Sequence, residues 1–199
     1  MAPPRKPKLL VLDGQGVVFN APIKTFLRLF AVQNSLEYAT VAGRWDNRLR
    51  ELAWTGAIDD KTLWTELAGK EISVDETMHL LAASYRPGPV AAHLGLWSQR
   101  VPIWLLSNHR SHWVLPQLER LNLTDTFQRL LISDVTGAVK PDTSAFSVLL
   151  SGEVAASDIL FVDDQEHNIK AAVRLGLATL HAAPEYEWVD ALAASVKLE

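Results

Sequence analysis

The chain has 199 residues with 10 Gly, 10 Pro and no Cys, the size of one globular domain, or of a core with a modest insertion, and too small for two large domains. A hydrophobic share of 48% with 21% charged residues excludes intrinsic disorder and low-complexity or collagen-like character. Lys plus Arg (19) against Asp plus Glu (23) leaves a formal charge of −4, so there is no basic field to gather nucleic acid or anionic lipid, and the lack of Cys removes disulfides, thiol nucleophiles and thiolate metal sites together.

From the N-terminus, a basic Pro-rich start leads into the apolar run LLVLDGQGVVF, which Asp13 and Gln15 interrupt. No small-x-small cleavage pattern follows, so the run reads as a buried strand over 8–12 rather than a signal peptide. No stretch approaches the ~18 to 20 apolar residues of a membrane span, and a cytoplasmic location without membrane partners is expected. Roughly ninety residues then separate this strand from the next, at 101–106, far more than the single helix a parallel crossover requires. Within 21–85 apolar residues recur at helical spacing, broken at Gly43, Gly56 and Gly69, and the stretch reads as an inserted helical subdomain. Arg86-Pro87-Gly88-Pro89 marks the return, and a helix over 90–98 leads into the second strand.

Beyond it the chain reads as successive βα units, with strands at 129–132, 159–162 and 178–181 and helices at 111–121, 143–150 and 166–175, the last stopped by Gly176. The expected fold is α/β, a parallel sheet wrapped by helices, with a core over 1–20 and 86–199 and a helical insertion over 21–85.

In open parallel sheets ligands bind at the carboxyl ends of strands. Those ends are polar here: Asp13-Gly14-Gln15-Gly16 after the first strand, Ser107-Asn108-His109 after the second, Asp163-Asp164 after the fourth, with Lys140-Pro141 opening the helix after the third. Each pair alone has a plain structural reading, as turn, helix cap or solvated lysine. Together they supply a carboxylate to attack, a hydroxyl and a lysine to hold phosphate oxygens, and a carboxylate pair for a hard cation, which is a site for phosphoryl transfer through an aspartyl intermediate.

The four motifs, LLVLDGQGVVF, WLLSNHR, GAVKPD and ILFVDDQEHNIKAAVRLG, resemble in order those of the haloacid dehalogenase superfamily, and 21–85 resembles its helical cap, with TGAIDDKTLWTEL similar to the glucose-1-phosphatase-like and epoxide-hydrolase N-terminal-domain-like branch. The resemblance implies a Rossmann-like core, Mg²⁺ as cofactor and a small phosphorylated metabolite as substrate. It implies Asp13 as nucleophile, Ser107 as phosphate-binding hydroxyl with Asn108 beside it, and Lys140 as the lysine steadying nucleophile and phosphate. Asp164 would be a direct metal ligand, Asp163 a water-mediated ligand or partner of the lysine, and Asn168 an orienting residue. Gln15 matches the position whose carbonyl binds Mg²⁺ and whose side chain, usually aspartate, is the general acid/base.

An amide cannot exchange a proton near neutrality, so Gln15 departs from that pattern. Three readings stay open: a Mg²⁺-dependent phosphatase or phosphoryl-transfer enzyme, a weak or inactive relative that binds a phosphorylated ligand or protein partner, and a dehalogenase, against which Asp163-Asp164 argues. His109 and His112 read as helix-capping or solvent-facing ahead of the alternative that one of them contacts substrate, and His167 as no metal ligand because Mg²⁺ prefers oxygen. Trp45, Trp54 and Trp64, with Arg44 and Arg48, either line a substrate pocket in the cap or form its core and a solvated basic face. The oligomeric state is not legible.

Overall fold

The computed structural model describes residues 6–185 and 187–197; the first five residues of the Pro-rich start lie outside them. Its centre is a five-stranded, all-parallel sheet in the order β3-β2-β1-β4-β5. The strands are β1 (Leu9–Leu12), β2 (Ile103–Ser107), β3 (Arg129–Ile132), β4 (Ile159–Asp163) and β5 (Ala178–His181). β1 is central and every residue of it is buried, as an apolar run covered on both faces must be. Alternate side chains serve two cores: Leu10 and Leu12 join one, Leu9 and Val11 the other. β2 begins two residues later than its apolar run, because Pro102 has no N–H for the ladder and offers only its carbonyl, to Leu10.

Between β1 and β2 every regular element is helical: α1 (Pro22–Gln33), α2 (Tyr38–Arg44), a π-turn at Trp45–Leu49, α3 (Arg50–Trp54), α4 (Asp60–Ala68), α5 (Val74–Ser84) and the short α6 (Leu94–Trp97). Gly56 and Gly69 end α3 and α4 with φ of +72° and +71°, a conformation that favours glycine. Gly43 does not break the chain: it lies inside α2, and the bend expected there is the π-turn that follows. The helix expected over 90–98 shrinks to Leu94–Trp97, since Val90 is tied by its N–H to the Val17 carbonyl and the next residues form turns. Asp59 caps α4 by accepting from Thr62 N, and Ser73 caps α5 by accepting from Glu76 N.

The core helices are α7 (Ser111–Arg120), α8 (Ser133–Thr136), α9 (Ser147–Leu150), α10 (Glu166–Arg174) and α11 (Glu187–Lys197). The helix expected over 143–150 opens as a 3₁₀ turn, Thr143–Phe146, before α9.

The inserted helices share a core with one face of the sheet. Phe26, Trp54, Trp64 and Leu67 belong to the same buried cluster as Leu12, Leu105 and Val162. Both linkers between insertion and sheet are paired to each other: Asn20 N donates to Arg86 O and Gly88 N to Val18 O, while the Asn20 side chain donates to Ser84 O and accepts from Arg86 N. Gly88 is required there, because a Cβ would collide with the backbone of Val17 and Val18. Among the described residues no helix is long and apolar enough to cross a membrane.

Candidate active site

The carboxyl ends of β1, β2 and β4 converge on Lys140. Its ammonium, 3% exposed as a residue, donates to Asp13 Oδ1 at 2.7 Å, to Asp163 Oδ2 at 2.7 Å and to the Leu106 carbonyl at 2.8 Å. The loop presenting it is held by a reciprocal pair: Lys140 N donates to Asn108 Oδ1 and Asn108 Nδ2 donates to Lys140 O, both at 2.8 Å. Both polar atoms of the Asn108 side-chain amide thus position Lys140.

Asp163 is fully buried and heavily bonded. Besides Lys140, it accepts from Gln165 N at 2.7 Å and from Asn168 Nδ2, which reaches both carboxylate oxygens at 3.1 Å. This makes Asp163 the partner of the lysine and Asn168 its orienting group. Asp164 is half-buried, accepting from Gln165 Nε2 at 2.9 Å. Gly16, at φ +78°, lies against it; a Cβ there would sit 2.7 Å from the Asp164 carboxyl carbon. Gln15, half-buried on the same turn, forms a backbone bridge with Phe19.

Asp13, Asp163 and Asp164 each offer a carboxylate oxygen within 4.8 Å of the others. Burial pushes the Asp13 carboxyl up to about 8; the charges of Asp163 and Asp164 add to this and Lys140 opposes it. Burial and the neighbouring Asp163 raise Asp164 as well. Burial alone would lower Lys140, yet Asp13 and Asp163 hold it above its ordinary value, so it stays a cation. Crowded carboxylates with a single ammonium are an all-oxygen set suited to a hard divalent cation, which would relieve their mutual repulsion. Ser107 Oγ is buried without a hydrogen-bond partner, and a Cβ on Gly14 would fall 2.5 Å from it. An unsatisfied hydroxyl beside a cradle that only glycine leaves open fits an anion such as phosphate. The residues present thus fit both Mg²⁺ and phosphate.

His109 is neither capping nor solvent-facing. It is fully buried, its Nδ1 accepts from Arg110 N, and its Nε2 meets the Tyr85 hydroxyl at 2.8 Å. Burial pulls its pKa down to about 3, so the ring is neutral and donates through Nε2. His112 does face solvent, with Nε2 2.8 Å from Asp60. His167 is exposed and outside the carboxylate group. Trp45, Trp54 and Trp64 are buried core residues; Arg48 pairs with Glu66 at 3.0 Å and Arg44 donates to Leu67 O, both within the insertion.

Asp60 escaped sequence reasoning. This carboxylate of the insertion meets Arg110 at 3.0 Å as well as His112, fastening the inserted helices to the sheet. Its partners lie about fifty residues away, and only the folded chain brings them together.

A parallel sheet with an acid–lysine cluster at its carboxyl edge and a helical insertion after β1 defines an α/β hydrolytic enzyme of the haloacid dehalogenase type. The family model described as "Haloacid dehalogenase-like hydrolase" matches residues 76–182, more than half of the chain, and the chain belongs to that family. No functionally curated protein matches it. Among solved structures, it is similar to a predicted HAD-like family hydrolase from Porphyromonas gingivalis (19% identity, 98% of this chain and 100% of that one, TM-score 0.78). A HAD family enzyme from Bacteroides thetaiotaomicron in a magnesium complex is 21% identical over 94% of this chain and 99% of that one, with a TM-score of 0.74; that enzyme has also been solved with magnesium and inorganic phosphate. The L-2-haloacid dehalogenase of Xanthobacter autotrophicus, with chloropropionic acid covalently bound, is 17% identical over 87% of this chain and 76% of that one, with a TM-score of 0.65. At these identities the likeness is one of fold.

Proposed function

We propose that this hydrolase cleaves a phosphate ester of a small metabolite, or transfers its phosphoryl group, through an aspartyl phosphate on Asp13. The observation that carries the reading is the buried Lys140, bridging Asp13 and Asp163 at 2.7 Å each, with the orphaned Ser107 hydroxyl alongside. Asp13, the Gln15 carbonyl and Asp164 would hold Mg²⁺, which supplies positive charge to the phosphate and to the nucleophile's carboxylate.

In the first half-reaction an Asp13 carboxylate oxygen forms a bond to phosphorus as the bond to the ester oxygen breaks, and the electron pair leaves with that oxygen. Lys140 opposes the upward push of burial on Asp13 and, together with a bound cation, would favour the ionised carboxylate that attacks, while Ser107 and Lys140 donate to the phosphoryl oxygens. Water then attacks the phosphorus of the acyl phosphate, its proton passing to a phosphoryl oxygen as the bond between phosphorus and the Asp13 oxygen breaks, which releases phosphate and restores the Asp13 carboxylate. Gln15 neither protonates the leaving oxygen nor takes a proton from the water. The reaction therefore favours better leaving groups, such as acyl, aryl or anomeric phosphates, over simple alkyl phosphates.

A screen of such esters with and without Mg²⁺, with Asp13→Asn as the blank, tests this. Turnover that needs both Mg²⁺ and Asp13 is expected. Binding of phosphate compounds without any turnover would favour a ligand-binding relative, the reading that Gln15 raises.

A further inference from the structure

On one flank of the site the inserted helices pack against the segment that follows β2. Trp64 stacks on Trp113 with ring centres 5.1 Å apart, Trp54 packs on His109 at 4.9 Å, and Ser133 Oγ donates to the Trp54 carbonyl at 2.6 Å. Asp60, bound to Arg110 and His112, adds a polar fastening on the same side.

The opposite flank is open. A groove of about 970 Å³ is lined by Gly16 and Asp164 of the site, by Pro87 of the return linker and Ala183 after β5, and by Lys24 and Asp190. This is the volume of a small-molecule site, with mainly apolar walls and few polar groups. Most of those groups have structural work: the Asn20 amide holds the two linkers together. Asp190 stands in the first turn of α11, where a carboxylate stabilises a helix start. Lys24 has no such reason. It is exposed in the first turn of α1, which contains no acidic residue, and makes no ion pair or hydrogen bond among the described residues. An unpaired cation on the wall of a groove that the site's own carboxylate also lines is placed to meet a negative charge on the molecule lying there.

We infer that this groove receives the leaving-group part of the phosphate ester, and that Lys24 selects substrates carrying a second anionic group, a carboxylate or another phosphate. The inference rests on the phosphate-ester reading for the chemistry at Asp13 and adds the substrate class.

The test compares 4-carboxyphenyl phosphate with phenyl phosphate in Mg²⁺, as turnover, and the two corresponding phosphonates by calorimetry, as binding. Wild type should prefer the carboxylated member about tenfold, through KM and Kd. Lys24→Met should erase the preference, Lys24→Glu reverse it and Lys24→Arg keep it. Lys61→Glu, a charge change on an exposed part of the insertion, should leave it intact. Preference in phosphonate binding with no turnover of either ester would uphold the groove and overturn the hydrolytic reading. No preference in wild type, or one that survives Lys24→Met, would overturn the inference whether or not the esters are cleaved.

Discussion

Lys140→Met removes the single cation of the buried cluster while keeping the length of the side chain. Burial already pushes the Asp13 carboxyl up to about 8, so in metal-free protein it can take a proton when the ammonium is lost. The deficit falls on Asp163, fully buried and left with only the neutral donors Gln165 N and Asn168 Nδ2. Breaking a buried ion pair from one side costs about 3–5 kcal/mol. The two remaining donors place this case at about 3 kcal/mol, a large part of the 5–15 kcal/mol typical of a whole domain. Urea unfolding followed by tryptophan fluorescence, at pH 7 in EDTA, should show that loss; the 7 Trp make the transition easy to read. Mg²⁺ should shrink it, because a second cation then faces the same carboxylates. Lys140→Met combined with Asp163→Asn should recover part of it, since no uncompensated charge remains. A loss below about 1 kcal/mol in EDTA would refute the view that Lys140 neutralises a buried carboxylate.

Restoring an acid with Gln15→Asp should speed alkyl phosphates by about 10² to 10⁴ and aryl or acyl phosphates much less, read as kcat/KM across a leaving-group series. The buried His109 stays neutral down to about 3 when folded but takes a proton near 6.5 when unfolded, so its contribution is present above 6.5 and is lost as pH falls through that window. Between pH 6 and 4.5 wild type should therefore lose about 2 kcal/mol more than His109→Phe in parallel urea titrations. Gly88→Ala, whose Cβ meets the backbone of Val17 and Val18, should cost about 1–3 kcal/mol in the same assay, because neither backbone segment can yield without disturbing the linker pairing.

What could be read from the sequence follows from where the signals are local. β1 and β4 are buried on both faces, so their apolar runs stand out unaided, and the polar residues ending them mark the site edge. Gly56 and Gly69 mark helix ends because only the left-handed turn explains them, whereas Gly43 sits in α2 and carries no such strain. Asn108 shows the limit of motif reasoning. Its neighbour Ser107 is free to meet an anion, but the amide of Asn108 is bound at both ends to Lys140, and no spacing rule distinguishes the two. The Tyr85–His109 pair and the Asp60 fastening join residues 24 to 52 positions apart, so neither leaves a periodic trace. Lys24 reads as an ordinary surface lysine until the groove beside it is seen.

In the proposed mechanism Asp13 carries the phosphoryl group between Ser107 and Lys140. Crystals grown with Mg²⁺ and beryllofluoride, a mimic of an aspartyl phosphate, test it most directly. Beryllofluoride should be bonded to an Asp13 carboxylate oxygen, its fluorines contacted by Ser107 Oγ and Lys140 Nζ, with Mg²⁺ against Asp164. Mg²⁺ bound at Asp164 beside an Asp13 that remains bare would contradict it.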